Sequence, residues 1–493
     1  MRARFLRVKR VQQVVLLTIK EEAMSGKLEA SWAELLSGRN GLRSLALAGG
    51  VAVHAVNVYI ATTIMPSVIQ DIGGQQYYAW NTTLFVVASI VGSALTSRIL
   101  ERWGLRLGFL LTLAIFTFGT VLCASSPHMW WLLLARAVQG FGGGLLLGLS
   151  YSSIRIVFAE RLWPKAMALV SIMWGVATLA GPAIGGVFAQ SGHWRWAFLA
   201  ILPLIAGLVV LVWTQLNAYR QSLSQSSGST LPQIFLLTSS VLLVSGASLF
   251  ESWGINFIGA FLGMAVLAYL IRFDGRASTR LFPVGTYSLR QPLGSLYACI
   301  GLMSISVTAE IFIPYFLQVI HLMSPLKAGY LTVLMSAGWT LGTIASSSRP
   351  HRVGAYFLVI GPVLSCISLL ALAVLIPWQA LSLEWQLSWL MYPALLGVGL
   401  GIGICWPHLL TRVFKAAPKG QENIASAAIT TLQLYAMALG ASVAGLIANA
   451  AGFSRPGGLI GAQQSSMALF IAFALCPALA AFLSKAARRV VLL

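Results

Sequence analysis

A carboxyl group that takes up and releases a proton inside an apolar run is chemistry that few positions in this chain allow. Only 12 of its 493 residues are Asp or Glu. Most of these fall in charged connections, and Asp71, Glu251 and Glu384 fall at the ends of apolar runs. Glu310 alone, in Ser304-Ile-Ser-Val-Thr-Ala-Glu-Ile-Phe-Ile-Pro314, is expected deep within one. A carboxyl alternating between dry and wet surroundings can carry a proton; a structural hydrogen bond is the competing role. Pro314, Ser306 and Thr308 predict a polar, irregular stretch around it. Arg136 is the one basic residue within an apolar run, and a charge there costs at least ~2.5–3.5 kcal/mol unless it faces a cavity and finds partners. Gln139, three residues on, shares its helix face. The pair suits a proton relay or a substrate contact, or else a structural tether to the first helix. His54 titrates near neutrality when hydrated, although a lone His in an apolar helix is more often simply hydrogen-bonded. Asn57, one turn on, cannot exchange a proton.

The elements that must position these groups are helices. Apolar residues make up 58% of the chain and charged ones 9%. A hydrocarbon core of ~30 Å needs roughly 20 apolar residues in helical form, and such runs recur throughout. Backbone amides at that depth must be paired within their own segment, and the runs are too long for barrel strands. The chain is therefore an all-α membrane protein. Fourteen helices are predicted, near 44–68, 79–97, 107–124, 130–150, 166–189, 196–216, 234–250, 253–271, 292–319, 326–347, 355–377, 387–411, 424–450 and 465–484. Placing both termini in the cytoplasm puts 28 of the 32 basic residues on that side, leaving Arg195, Lys327 and Arg455 opposite. The net charge of +20 is then a topology signal beside anionic lipid, with no nucleic acid implied.

The division expected is a cytoplasmic tail at 1–43, six helices over 44–216, linkers with an inserted hairpin at about 234–271 within 217–290, six helices over 291–484, and a basic tail at 485–493. The tail before residue 44 lacks a secretory pattern, and translation from Met24 is an alternative start. The hairpin, with few polar residues beyond Glu251 and Asn256, is expected to be peripheral. The Ser/Gln-rich stretch 217–231 reads as a flexible linker. Five Cys lie in apolar runs without metal spacing and read as packing residues. No metal, cofactor or phosphate loop is expected, nor the acid, His or Cys cluster of a membrane enzyme. A duplicated helical plan is what carriers use.

Five motifs in order carry a resemblance. Asn57-Val-Tyr-Ile-Ala-Thr-Thr-Ile-Met-Pro66 resembles D-x-T-I-V-N-x-A-L-P; Ser97 to Arg106 (SRILERWGLR) resembles G-x-L-a-D-r-x-G-r-k; Leu134 to Gly140 contains R-x-x-Q-G. Gly181-Pro182-Ala-Ile-Gly185-Gly186 matches G-P-x-x-G-G, and Ile313 to Gln318 with Ser324 to Gly329 resembles the opening of a second bundle. From about Leu45 to Ala481 the chain resembles the major facilitator superfamily, in its fourteen-helix drug:proton antiporter branch. The resemblance implies the major facilitator fold, two six-helix bundles plus a two-helix hairpin. It also implies a monomeric inner-membrane carrier, not an enzyme, that exports hydrophobic or amphipathic small molecules in exchange for protons. Uptake or export of a specific metabolite is the alternative, and a non-transporting sensor a further one. Asn57 stands where the branch has an acid, which shifts coupling toward Glu310, with Arg136 and His54 beside it. Glu101, Arg102, Gly104 and Arg106 are expected to form a gating loop, Glu101 latching the outward-facing state through basic groups near a neighbouring helix end. Gly181, Pro182, Gly185 and Gly186 are expected to give close packing and a bend that governs opening. A substrate cavity between the bundles is expected to be lined by Asn57, Gln139, Met173, Trp174, Trp406, His408 and Gln433, with Tyr59 and Tyr435 as further candidates.

Overall fold

The computed structural model describes residues 31–216, 230–250, 252–347, 349, 351–378 and 384–489. The expected tails before residue 31 and after 489, most of the 217–231 linker, and Glu251 lie outside these residues. Every predicted apolar run is helical. A short α1 (Trp32–Leu36) leads into α2 (Gly38–Ile72), α3 (Trp80–Ala94), α4 (Thr96–Ala124), α5 (Met129–Ser152) and α6 (Trp163–Gln190). Then come α7 (Trp194–Leu199), α8 (Leu202–Gln215), and the hairpin α9 (Leu231–Ala247) with α10 (Trp253–Arg276). The remaining helices are α11 (Pro292–Val307), α12 (Ile313–Val319), α13 (Pro325–Ser347), α14 (His351–Leu375), α15 (Glu384–Ala416), α16 (Glu422–Ala450) and α17 (Gly458–Arg489).

Among the described residues, 11 helical segments are long and apolar enough to cross a membrane, against the fourteen expected. The three that fall short are α3 with 15 residues, α9 with 17, and α13, which is long enough but less apolar. All three pack where the two halves of the chain meet; α13, covered there by other helices, need not be as apolar as one facing lipid, whereas α3 and α9 fall short by length alone.

The helices fall into two sets packed alike. In the N-terminal half α2 packs on α5, α6 and α8, α3 on α5, and α4 on α5, α7 and α8. In the C-terminal half α11 packs on α15, α16 and α17, α13 on α15, and α14 on α15 and α17. Matching α2 with α11, α3 with α13, and so on along each half, maps one pattern onto the other. The two main contacts across the seam, α3 with α16 and α6 with α13, exchange under the same matching. That is the signature of an internal two-fold. The hairpin is less peripheral than expected. Its α9 lies against both α16 and α3, with Ser240 Oγ 3.0 Å from Tyr435 Oη and Ser245 Oγ donating to Ser442 Oγ at 2.7 Å. Only α10 keeps to the outside, packed on α9.

Loops rich in Lys and Arg sit at one end of the molecule, here the basic end; the turns at 73–79, 191–193, 320–324 and 451–457 form the charge-poor end. At the basic end Gly104 breaks α4 with φ +71°, so the turns from Thr96 to Trp103 swing away from the apolar remainder.

Candidate functional site

Glu310 lies in a break that its own sequence dictates. Pro314 has no N–H for the Glu310 carbonyl four residues earlier. The N–H of Ile313 takes that carbonyl instead, and Thr308–Phe312 tightens into a 3₁₀ segment between α11 and α12. The irregular stretch expected from the sequence is therefore present. Glu310 is half-buried, and Tyr59 of α2 lies within electrostatic range of its carboxylate. Its side chain thus looks across the seam toward the N-terminal half. The Tyr59 hydroxyl is also 3.4 Å from Ser336 Oγ of α13, a second link between the halves.

The G-P-x-x-G-G residues hold Tyr59 in place. A Cβ at Gly181 would overlap that of Tyr59, and one at Gly185 would lie 3.1 Å from Thr63 Cβ. Gly186 faces the other half: a Cβ there would sit 2.6 Å from Leu326 Cα of α13. Gly329 returns the contact, 3.1 Å from Pro182 Cβ by the same measure. The motif is a three-helix junction of α2, α6 and α13.

The second polar group is separate. Arg136 is 1% exposed inside the N-terminal half. Its NH1 donates to Gln139 Oε1 at 2.6 Å, its Nε to the Asn81 carbonyl at 3.3 Å, and its guanidinium lies 4.1 Å from the centroid of Phe85. Gln139 Nε2 in turn donates to Asn57 Oδ1 at 3.1 Å and Thr120 Oγ1 at 2.8 Å. His54 packs against Phe85 and edge-on to Trp174. Among the described residues no carboxylate pairs with Arg136. Dipoles and an aromatic face carry that charge. The sequence places Arg136 facing a cavity, and Asn57 and Gln139 lining one. All three are instead enclosed within one half, because each is the hydrogen-bond partner the next requires.

The other expected lining residues scatter. Met173, Trp174 and Gln433 are half-buried. Trp406 is buried edge-on to Trp339, and His408 Nε2 sits 3.1 Å from the Ser346 carbonyl, so both serve the packing of the C-terminal half. Tyr435 is taken by Ser240. In the gating loop Glu101 and Arg102 are exposed, and no ion pair forms at Glu101 among the described residues. Arg106 instead donates to the Leu216 carbonyl at 2.6 Å, closing α4 onto α8.

Two groups escaped sequence reasoning. One is an aromatic plug at the charge-poor end. Tyr78 stacks on Phe312 with centroids 4.8 Å apart and meets Tyr315 and Phe453 edge-on. Gln75 Nε2 donates to Tyr315 Oη and to the Phe453 carbonyl, both at 2.6 Å, and Asn449 Nδ2 to the Gln76 carbonyl at 2.9 Å. The two halves are thus closed onto each other at this end. The other is Asp274, 0% exposed, whose carboxylate accepts from Leu281 N, Phe282 N, Tyr287 Oη and Gln233 Nε2 and orders the connection after the hairpin. Burial and then the bond to Asp274 hold the Tyr287 hydroxyl above the usual tyrosine range.

Two similarly packed helix sets, meeting across a seam shut at one end and with a carboxyl beside that closure, have the architecture of a membrane transporter. The chain belongs to the Major Facilitator Superfamily, whose profile matches residues 47–441. It is 36% identical over 452 residues to the probable multidrug-efflux transporter Rv1634 of Mycobacterium tuberculosis, covering 90% of this chain and 93% of that one. With the multidrug efflux pump SdrM of Staphylococcus aureus it shares 24% identity, covering 62% of this chain and 67% of the pump. Among solved structures, a bacterial homologue of the human lysosomal transporter Spinster, inward-facing and unoccupied, superposes with a TM-score of 0.64 at 15% identity, covering 92% of this chain and 97% of that one. The protein is a transporter and not an enzyme.

Proposed function

We propose that this protein exports hydrophobic or amphipathic small molecules across the inner membrane in exchange for protons, Glu310 carrying the proton. The observation that supports this most is the placing of Glu310, half-buried in a broken helix and looking across the seam at Tyr59. The names of the relatives favour export over uptake. In this reading α3, α9 and α13 also cross, completing fourteen spans. The halves 44–216 and 291–484 are the two rocking bundles of a monomer embedded in lipid, and the basic end with both termini is cytoplasmic.

The conformation is then inward-facing, since the plug closes the outer end. The lack of an ion pair at Glu101 among the described residues agrees with that state, because the latch expected of it belongs to the outward-facing one. Met173, Trp174 and Gln433 join Tyr59 and Ser336 as the cavity wall, and the Arg136–Gln139–Asn57 network supports the wall from behind. The buried His54 belongs with that support. One proton crossing 100 mV and one pH unit supplies about 3.7 kcal/mol, enough for a neutral-substrate gradient of roughly 500-fold. A single carboxyl therefore suffices. In everted vesicles, ethidium addition is expected to release protons with the wild-type chain and not with Glu310→Gln. Unchanged release in that variant removes Glu310 from the cycle.

A further inference from the structure

We propose that Tyr78 is a positioning residue that makes closure of the charge-poor end and the placing of Glu310 a single movement. The inference rests on the role of Glu310 proposed above. It starts from a bond that the packing of the plug does not need. Besides its ring contacts, Tyr78 donates from its hydroxyl to the carbonyl of Ile311 at 3.2 Å. Ile311 is the residue after Glu310, inside the 3₁₀ segment. The two faces of that five-residue segment thus do different work. Phe312 and the Ile311 carbonyl belong to the plug, while Glu310 looks into the seam.

Geometry makes the two inseparable. A 3₁₀ helix advances 120° per residue and an α-helix 100°. Rewinding the segment from Thr308 would turn the Glu310 side chain by about 60° relative to α11. Tyr78 is 1% exposed and comes from the N-terminal half, so it leaves Ile311 only when the halves part at this end. Parting therefore withdraws the partner that Ile311 has in the tight form, and it frees the segment to turn Glu310 away from Tyr59. Tyr315 is the built-in comparison. It bonds Gln75 across the same interface at 2.6 Å but lies in α12, beyond the segment.

The test uses the full chain in two forms: for labelling, the natural cysteines are replaced and Ser336→Cys is the reporter; for transport, the chain keeps its natural cysteines and Ser336. Membrane-impermeant maleimide applied from the charge-poor side reads opening, and proton release per ethidium moved, in everted vesicles, reads coupling. Tyr78→Phe and Tyr315→Phe each lose one interfacial hydrogen bond, so both are expected to speed labelling roughly 2- to 10-fold. Only Tyr78→Phe is expected to lower the proton-to-ethidium ratio, at least two-fold. Phe312→Leu, which disturbs the same contact from the other side, should act like Tyr78→Phe and serves if that variant does not accumulate. Equal ratios in Tyr78→Phe, Phe312→Leu and Tyr315→Phe overturn the proposal. A Glu310→Gln chain that keeps full coupling instead overturns the reading of Glu310, with the labelling arm unaffected.

Discussion

Gly186→Ala offers the sharpest test of how the two halves are balanced. The added Cβ would lie 2.6 Å from Leu326 Cα and 2.8 Å from Leu326 Cδ1, so backbone as well as side chain must yield. Gly186 belongs to α6 and Leu326 to the start of α13, so the overlap exists only while the charge-poor end is closed. Overpacking of this kind costs about 1–3 kcal/mol. Charged wholly to the closed-end state, it shifts the equilibrium between states roughly 5- to 150-fold toward opening at that end. The added methyl at Gly181 meets Tyr59 within one half, so Gly181→Ala should lower stability in both states and bias neither. Gly175, also on α6, has nothing within 4 Å of an added Cβ and is the neutral control. The assay is maleimide labelling of Ser336→Cys from each side of the membrane, alongside the thermal midpoint in detergent. If Gly186→Ala folds normally and labels at the wild-type ratio, the seam at α6 and α13 is not where the states are discriminated. The placing of G-P-x-x-G-G as a state-dependent contact would then be wrong.

Other outcomes follow from single contacts. Asp274→Asn places an amide where the carboxylate accepts from two backbone N–H groups and Tyr287. It should cost about 1–3 kcal/mol, seen as a lower thermal midpoint and faster proteolysis between residues 277 and 291. Tyr59→Phe removes the hydroxyl facing Ser336 and Glu310 while leaving the packing on Gly181, so ethidium efflux should fall with protein level unchanged. Equal efflux would deny Tyr59 a place in the cavity.

Sequence periodicity locates the helices closely because lipid imposes one rule on each of them. The predicted run at 292–319 has the bounds of α11 to α12, and Pro314 with its polar neighbours announces the break inside it. The small residues of α6 are legible for the same reason, since glycine at four-residue spacing admits another backbone. What stays hidden depends on relations between distant segments. Tyr78 and Gln75 read as an ordinary connection, and nothing nearby says that Ile311, Tyr315 and Phe453 will meet them. Asp274 reads as one more charge in a basic connection, whereas folding buries it beneath the loop that follows. The peripheral role expected of α9 fails similarly. Serines at 240 and 245 look harmless in an apolar run until Tyr435 and Ser442 appear opposite.

Arg136 is legible from its cost, yet that cost points to the wrong surface, and the reason leads to a last prediction. A buried guanidinium needs acceptors, and a cavity is only one way to provide them. Here Gln139 and the Asn81 carbonyl provide them from within, and Asn57 completes the chain through Gln139. The Nδ2 of Asn57 is buried and has no hydrogen-bond partner, so replacing it by oxygen breaks no bond. Asn57→Asp therefore adds a negative charge one side chain away from a positive one that no carboxylate among the described residues offsets. The attraction should be on the order of 2 kcal/mol at an effective dielectric near 20. It is set against the desolvation of the new carboxylate. A double-mutant cycle separates the two terms, with Arg136→Met as the second substitution and thermal or denaturant stability as the readout. Once Arg136→Met has removed the guanidinium, the buried carboxylate should be destabilising; with Arg136 present the same change should be close to neutral. The coupling energy is expected to be near ~2 kcal/mol and favourable. A coupling below about 0.5 kcal/mol would mean that the dipoles around Arg136 already screen it fully. The absence of an acid at position 57 would then place no electrostatic demand on the rest of the bundle.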